Sequence, residues 1–311
     1  MLRASKIVVA LLLMAGAASV PLSSRLLAAS DENPATGKKP TQTLKPVAAT
    51  SPEIPFDNYD LRDYDPRDYD PLAERLLLYL ANQARAQAGT AALTLDAGLS
   101  RAARLHAEKM RAERQVSHQF QHEASLAQRL AATTTTQLDQ EGENVAFDFD
   151  VEKGHQHLMQ SPPHRANLLN PAYNVVGLGV VRSGDRLYIV QDFGHALPSY
   201  SLTEVKRQIA AALAESRRQA SQHALARSDL ANADDTACSM AQADRLGTKT
   251  VQDLAQRYTV LTYTSLHPRT LPENAIPILS SRGLRSFSVG ACYARTATYP
   301  TGVYWVVLSL D

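Results

Sequence analysis

The chain has 311 residues, of which 44% are hydrophobic and 20% are charged, and its formal net charge at pH 7 is +1. This length and composition are typical of a globular protein with room for more than one domain. A charge so close to zero argues against a dominant electrostatic attraction to nucleic acid or to an anionic membrane. We therefore expect no nucleic-acid partner.

Residues 1–29 have the pattern of a secretory signal peptide. Arg3 and Lys6 precede an apolar run from Ile7 to Ala18, and small residues follow it. The run is short for a membrane span, although an uncleaved anchor is the alternative interpretation. Cleavage would remove three basic and no acidic residues and change the net charge from +1 to −2. We predict a secreted protein, extracellular or periplasmic, without a transmembrane segment after cleavage.

Residues 30–70 predict a disordered linker. Their composition changes to Pro, Thr, Lys, Asp and Tyr, which cannot build a core. The sequence RDYDP occurs at residues 62–66 and again at residues 67–71. One interpretation is that this repeat docks on a partner or on cell-wall polymer, and the other is that it lies along the surface of the domain that follows.

Two amphipathic helices come next. Apolar residues recur every three or four positions from Leu72 to Ala88, and Gly89 is expected to end the first helix. The second helix is expected to begin after Asp96, a good N-cap residue, with His106 on its apolar stripe. We interpret His106 as a core histidine satisfied by one hydrogen bond, because the neighbouring turns supply no partners for a metal ligand.

The stretch from Ser161 to Pro171 predicts a turn that carries polar groups. Pro162 and Pro163 are expected to end the helix that arrives from Val151, with Pro162 kept outside the helical region by the proline after it. Apolar neighbours indicate that the segment is packed down, and polar groups on packed backbone are frequently functional. The polar side chains that follow the turn are His164, Arg165 and Asn167.

Two apolar runs, from Val175 to Val181 and from Leu187 to Phe193, flank a turn with glycine and aspartate and predict a β-hairpin. Neither run alternates cleanly between apolar and polar residues, so both faces of the sheet are expected to be covered. The predicted fold class is α+β, a three-layer α-β-α sandwich.

Four ordered motifs carry a resemblance to a known family. They are GENVAF at residues 142–147, HLMQSPPHRANLLNP at 157–171, VVGLGVV at 175–181 and YIVQDFG at 188–194. The sequence resembles the bacterial branch of the CAP/SCP superfamily, which includes cysteine-rich secretory proteins, antigen five and pathogenesis-related group-one proteins. The resemblance covers residues 71–194 and implies a CAP-like sandwich over residues 71–198.

The resemblance also implies a cavity. His118 occupies the position of the family's first cavity histidine, and Glu143 that of its first glutamate. Eukaryotic members complete the set with a glutamate in WxxE and a histidine in GHYTQ, and this sequence has Ser161 and Tyr188 at those places. His164 is the substitute in the bacterial branch.

We predict that the residues around this cavity bind a ligand without catalysing a reaction. The predicted cavity residues are His118, Glu143, Asn144, His164, Arg165, Asn167, Tyr188 and Gln191. The resemblance allows a lipid such as a sterol or fatty acid, a glycan or a protein partner. No catalytic residue is assigned and no cofactor is required.

The alternative is a metal-dependent hydrolase that acts on peptide or cell-wall substrate through the same residues. His118, His164 and Glu143 provide two imidazoles and one carboxylate, which is the ligand set of many hydrolytic zinc sites. None of the three lies in a ligand-spaced motif such as HExxH. In this alternative the cofactor is zinc or another divalent metal, because the three side chains form a suitable ligand set.

Residues 199–311 predict a smaller α+β domain. A long helix is expected from Ser201 to about Arg227, a short one from Val251 to Arg257, and strands at residues 258–263, 287–294 and 303–310. The chain has two cysteines, Cys238 and Cys292, which predict a disulfide in an exported protein.

The second hairpin of the chain shares residues with the first. Val289-Gly290 matches Val176-Gly177, and an arginine, a glycine, a tyrosine and a valine follow in both cases. We attribute this to the composition that buried hairpins have in common, and a decayed second copy of the first hairpin is the alternative interpretation.

Overall fold

A computed structural model of the chain describes residues 7–9 and 69–311, with side chains described for the second range. Residues 7–9 form strand β1 (Ile7–Val9). The rest of the predicted signal peptide and nearly all of the predicted linker lie outside the described residues. None of the helices in the described part is long and apolar enough to cross a membrane.

The first half of the described chain forms a four-stranded sheet with helices on both faces. Its elements in chain order are α1 (Pro71–Gln87), β2 (Thr94–Leu95), α2 (Ala97–Glu113), α3 (Leu126–Thr133), β3 (Leu138–Asp148), α4 (Val151–Gln160), α5 (Pro162–Leu168), β4 (Val175–Ser183) and β5 (Arg186–Ala196). The sheet order is β2-β4-β5-β3, with β2 parallel to β4 and the other pairs antiparallel. The predicted α+β sandwich is confirmed.

Local sequence accounts for the ends of these helices. The Asp70 carboxylate accepts a hydrogen bond from the Ala73 amide at the start of α1, and Gly89 follows that helix with φ +71°. The predicted N-cap Asp96 is confirmed at the start of α2, where it accepts from the Leu99 amide. An N-cap side chain of this kind replaces a hydrogen bond that the first turn of a helix lacks.

Two apolar clusters hold the layers of the first half together. One lies under α1 and includes Leu77, Leu178 and Ile189. The other lies under α2 and includes Met110 and Val190. Because successive strand residues point to opposite faces, β5 contributes Ile189 to one cluster and Val190 to the other.

The second half forms a second sheet with the same construction. Its elements are α6 (Leu202–Gln219), β6 (Ala226–Arg227), α7 (Ala233–Gln242), α8 (Lys249–Ala255), β7 (Thr259–Ser265), a 3-10 turn (Glu273–Ala275), α9 (Ile276–Leu279), β8 (Ser286–Ala294) and β9 (Val303–Leu310). The sheet order is β1-β7-β9-β8-β6. The predicted helix to Arg227 is too long, since α6 ends at Gln219, and the sequence interpretation missed α7.

The strand topology of the second half repeats that of the first. The order β2-β4-β5-β3 corresponds to β6-β8-β9-β7, and each pair of neighbours keeps its parallel or antiparallel direction. In the first sheet Gly177, Asp192 and Glu143 lie side by side across three strands. In the second sheet the row at the corresponding glycine consists of Gly290, Val307 and Thr262. The two similar hairpins therefore occupy equivalent positions in the two sheets.

A buried arginine is also repeated. Arg85 near the end of α1 donates to the carbonyls of Ala91, Leu168, Asn170 and Tyr173 at 2.6 to 3.0 Å. In the second half, Arg217 near the end of α6 donates to the carbonyls of His223, Leu279 and Ser281 at 2.6 to 3.0 Å. In both halves one guanidinium ties the end of the first helix to the loops after it.

The two halves contact each other through the segment between α3 and β3. Arg295 donates to the carbonyls of Ala131 and Thr134 at 2.7 and 2.6 Å, at the end of α3. His267 lies 3.2 Å from the carboxylate of Asp139 at the start of β3. The second half therefore contacts the segment that connects α3 to β3. Within the second half, the predicted disulfide between Cys238 and Cys292 is confirmed and joins α7 to β8.

Candidate functional site

Glu143 lies at the centre of the candidate site. Its carboxylate is buried on β3, with Oε1 2.9 Å from Nδ1 of His118. Its Oε2 accepts a hydrogen bond from the guanidinium of Arg129, which extends from α3. His118 comes from the loop after α2, and the Arg129 guanidinium also donates to the His118 carbonyl at 3.1 Å. One carboxylate and one guanidinium thus fix both the backbone and the ring of His118.

The contact with Glu143 decides which nitrogen of His118 faces outward. Nδ1 lies against a carboxylate that is paired with Arg129, so Nδ1 carries the proton and donates it. Nε2 is then the ring nitrogen that faces away from Glu143. The His118 side chain is 58% exposed, whereas Glu143 beneath it is 4% exposed. The site therefore presents an oriented imidazole that is supported from below.

His106 belongs to the support of this site. It is buried, as predicted, but it contacts two partners: its Nδ1 lies 2.8 Å from Glu123 Oε1, and its Nε2 lies 2.8 Å from the Ser117 carbonyl. Nε2 is also 3.8 Å from Glu143 Oε2. Burial alone would raise the pKa of Glu123, but hydrogen bonds from the Phe120 amide and His106 outweigh it and lower that pKa. An ionised Glu123 thus helps to hold the loop that carries His118.

His164 approaches the same point from α5. Pro162 and Pro163 form the first turn of α5, where the missing amides cost nothing. The expectation that Pro162 lies outside the helix is therefore wrong. The ring centroids of His164 and His118 are 6.3 Å apart. Burial, and then the nearby His118, lowers the pKa of His164, so its ring is neutral at pH 7.

These three residues, His118, Glu143 and His164, are called the histidine–glutamate cluster below. Asn144 and Asn167 tie α5 to the strand beside it. Asn144 donates to the His164 carbonyl at 3.0 Å, and Asn167 donates to the Glu143 carbonyl and to Asn144 Oδ1, both at 3.1 Å. Both amides therefore act on the backbone that positions the cluster.

Gln191 lies on the other face of the sheet from Glu143. It is fully buried, and its Oε1 accepts a hydrogen bond from Asn144 at 3.1 Å. Since neighbouring residues of a strand point to opposite faces, Gln191 and Asn144 lie on the α5 side while Glu143 lies on the α3 side.

The two remaining predicted cavity residues lie apart from the cluster. The Tyr188 ring is packed in the apolar cluster under α2, with its centroid 4.4 Å from that of Phe147. Arg165 is exposed on the outer side of α5. The cluster itself thus brings together His118, Glu143 and His164, with Asn144 and Asn167 as backbone supports.

Sequence reasoning missed Asp192. This residue is directly opposite Glu143 in the pairing of β3 with β5, and it is fully buried. Neither of its carboxyl oxygens accepts a hydrogen bond from the described residues. Burial and then the Glu143 carboxylate raise the pKa of Asp192 well above its ordinary value, and Arg129 opposes this only in part. The signal in the sequence was an aspartate inside the apolar run YIVQDFG.

Two side chains donate hydrogen bonds to backbone carbonyls of β3. The Tyr173 hydroxyl donates to the Glu141 carbonyl at 3.1 Å, and the Asn167 amide donates to the Glu143 carbonyl at the same distance. Tyr173 is in turn stacked on Phe193, with ring centroids 5.5 Å apart. The connection from α5 to β4 is therefore attached to β3 at two points.

The geometry supplies two imidazoles to an incoming ligand but no free carboxylate. Both oxygens of Glu143 are already engaged, one by His118 and one by Arg129. In the described part of the chain no group of three or more His, Cys, Asp or Glu side chains is placed to hold a metal ion. A catalytic zinc needs three protein ligands, so Glu143 would have to leave Arg129 to complete such a site.

The fold and the site together define an α-β-α protein with a histidine–glutamate cluster at one margin of its first sheet. Residues 78–193 match the model of the cysteine-rich secretory protein family, CAP. Over this range the chain is therefore similar to proteins of that family.

Three relatives illustrate the extent of the match. An uncharacterized membrane protein of Bacillus subtilis (strain 168), YlbC, is 33% identical over 122 residues, which is 39% of this chain and 34% of the relative. An extracellular SCP-domain protein of Bacillus anthracis str. Ames is 25% identical, with a TM-score of 0.37, over 40% of this chain and 41% of that one. A cysteine-rich secretory protein of Staphylococcus aureus subsp. aureus Mu50 is 24% identical, with a TM-score of 0.33, over 42% and 40%. The chain thus spans about a third of the length of the Bacillus subtilis relative.

Proposed function

We propose that the chain is a ligand- or partner-binding module and that the histidine–glutamate cluster is its binding surface. The observation that carries the proposal is the His118 ring, which is 58% exposed although Glu143 and Arg129 fix it from a buried position. A buried carboxylate also holds the exposed ring of His157, but His118 has in addition a second imidazole beside it, that of His164, with ring centroids 6.3 Å apart. Holding a ring in one orientation in advance lowers the entropy that a ligand has to offset.

The chemistry of the cluster favours binding over catalysis. The Glu143 carboxylate is shared between His118 and Arg129 and is not free to take a proton from water. The two imidazoles offer one donor or acceptor each to a polar ligand. A glycan or a polar segment of a protein partner fits these groups better than a purely apolar lipid does, because an apolar ligand leaves both rings unpaired.

We also propose that the protein is exported. The disulfide between Cys238 and Cys292 supports this, because disulfides persist in oxidising compartments. The basic and apolar pattern of residues 1–29 supports it as well.

The test uses nitrogen-15 NMR of the histidine side chains in the full chain. Soluble peptidoglycan fragments, palmitate and zinc chloride are added in turn, and the signals of His118 and His164 are compared with those of His157. His157 is a matched control because it is 61% exposed and also pairs with a buried carboxylate, that of Asp148. We expect at least one probe to shift the signals of both cluster histidines and to leave His157 unchanged.

The double variant His118→Ala/His164→Ala should abolish binding of that probe, and His157→Ala should not. Equal losses in the two variants would remove the cluster as the binding surface. A set of probes that shifts none of the cluster signals would contradict the proposal for the ligand classes tested.

The alternative function is a metal-dependent hydrolase. The observation in its favour is that the imidazoles of His118 and His164 lie close together, with ring centroids 6.3 Å apart, and that burial lowers the pKa of His164. In that case Glu143 must exchange Arg129 for the metal. Calorimetric titration with zinc separates the two functions, since a hydrolase requires a dissociation constant tighter than about 10 μM that His118→Ala weakens strongly.

A further inference from the structure

Asp192 is the one carboxyl group of this region that no described donor reaches. It is fully buried opposite Glu143, and neither oxygen accepts a hydrogen bond within the described chain. A buried carboxylate without donors is strongly unfavourable, because it loses its hydration and gains nothing in return. A protonated carboxyl group avoids this cost and gains a donor of its own.

The charges around Asp192 favour the protonated form. The ionisable groups that face the pair from the surrounding elements are His106 on α2, the loop residues His118 and Glu123, and Arg129 on α3. Among these Arg129 is the fixed positive charge, and it is already shared between Glu143 and Glu123. A third ionised carboxylate would have no countercharge left to it.

The second half of the chain provides an internal comparison. Val307 and Thr262 occupy the positions that correspond to Asp192 and Glu143. They lie in one row with Gly290, whose missing side chain allows α7 to pack closely on the sheet. The same strand order forms there without an acid at either position. The fold itself therefore does not require the pair of acids, although burying them is costly.

We propose that Asp192 is a positioning residue of the histidine–glutamate cluster: a neutral carboxylic acid whose hydroxyl donates to the Glu143 carboxylate. Glu143 then receives donors from three sides, His118, Arg129 and Asp192, and carries a single negative charge. The acid limits the rotation of the Glu143 carboxylate and so keeps Nδ1 of His118 in place. The protonation of Asp192 and its hydrogen bond to Glu143 do not depend on the proposed function. Only the expected gain in ligand affinity rests on that function.

The first experiment asks whether Asp192 is protonated, and it needs no ligand. The infrared spectrum of the full chain at pH 7 is compared with those of Asp192→Asn and of Asp185→Asn, a control in the exposed turn between β4 and β5. We expect a carbonyl stretch of a protonated carboxylic acid that disappears in Asp192→Asn and persists in the control. A wild-type spectrum without that band would overturn the proposal, whatever the cluster binds.

A second, independent readout is the pH dependence of unfolding. Because the pKa of Asp192 is raised in the folded state, the folded protein binds the extra proton, and stability falls as the pH rises above the ordinary aspartate pKa towards the raised one. This group should change the folding equilibrium constant by about tenfold per pH unit in that window. Asp192→Asn should remove that part of the slope, and an unchanged slope would contradict the proposal.

Positioning is tested by rescue with a conservative variant. In Asp192→Asn the new side-chain amide can still donate to Glu143, whereas the side chain of Asp192→Val, which copies the second half, cannot. With the probe that binds the cluster, we expect an affinity within about threefold of wild type for Asp192→Asn and a loss of about tenfold or more for Asp192→Val. Equal losses in the two variants would reject positioning through a hydrogen bond. If Asp192→Val does not fold, the infrared and pH measurements on Asp192→Asn decide the proposal, and absence of any probe binding in wild type would refute only the proposed function.

Discussion

Replacing Arg85 by alanine should loosen the part of the first half that carries His164. The Arg85 guanidinium is fully buried and donates to four carbonyls, three of them at the end of α5 and just after it, at Leu168, Asn170 and Tyr173. Hydrogen bonds from a charged group contribute roughly 1.5–3 kcal/mol each, so four give an upper limit of about 6–12 kcal/mol. Rehydration of the carbonyls recovers part of this.

We therefore expect Arg85→Ala to lower the free energy of unfolding by about 4 kcal/mol, a large share of the roughly 5–15 kcal/mol typical of a folded protein. The free energy of unfolding of Arg85→Lys should lie between those of wild type and Arg85→Ala, because an ammonium group cannot reproduce the planar fork of donors. Denaturation in guanidinium chloride, followed by far-ultraviolet circular dichroism, measures the loss. Hydrogen exchange of the α5 amides should show reduced protection in the same variant.

Arg217→Ala is the matched control, since Arg217 makes the corresponding contacts in the second half. Its effect should appear in the fluorescence of Trp305, the single tryptophan of the chain, which is buried in the second sheet. It should leave α5 protected. A loss below about 1 kcal/mol for Arg85→Ala, or an equal loss of α5 protection in Arg217→Ala, would refute the role given to Arg85.

Three further outcomes are expected. Cys292→Ser should lower the stability of the second half by about 4 kcal/mol, because the bond from Cys238 closes a loop across a sequence separation of 54 residues, and Trp305 fluorescence during denaturation should report it. Arg295→Ala, which frees two carbonyls at the end of α3, should cost about 2 kcal/mol and weaken any ligand of the histidine–glutamate cluster, whereas an unchanged affinity would show that α3 needs no support from the second half. His164→Gln should make the free energy of unfolding less sensitive to acid. The pKa of His164 is lowered in the folded state, so the unfolded chain takes up the proton first and wild-type stability falls as the pH drops below the ordinary histidine pKa. Parallel curves of stability against pH for the variant and wild type would contradict this.

The first half of the fold follows closely from the sequence because its signals are local. The apolar period places both ends of α1 within one residue of their predicted positions, and the N-cap Asp96 places the start of α2. Pro162 was misplaced because proline suits the first turn of a helix as well as the end of one. In the second half α7 was missed, because its alanines and short polar residues lack a strong apolar stripe.

The site was predictable only in part. Resemblance in the motifs placed His118, Glu143 and His164 together, and they do lie together. Arg129 could not be foreseen, since its partner is 14 positions away and its own helix is short. Asp192 and Gln191 are adjacent in sequence but face opposite sides of the sheet, and only the strand register shows which of them lies next to Glu143.

The repeated topology is the feature that sequence reasoning judged least well. The residues that the two hairpins share are few, and such matches arise freely between buried strands. The stronger evidence is non-local: a buried arginine in each first helix, and a glycine in each half where an added Cβ would lie 2.1 Å or less from the backbone of a packed helix. These features have no periodicity, so they become visible only once the strands are aligned in space.

The hydrogen bonds from Tyr173 and Asn167 to the carbonyls of Glu141 and Glu143 have a consequence for solubility. β3 is the outermost strand of the first described sheet, and its free carbonyls would otherwise be open to strand addition by another molecule. The segment that brings His164 to the surface thereby also shields the sheet from self-association. Asn167→Ala should make the protein more prone to aggregate at high concentration, and this protective role restricts how freely the segment can change to suit a new ligand.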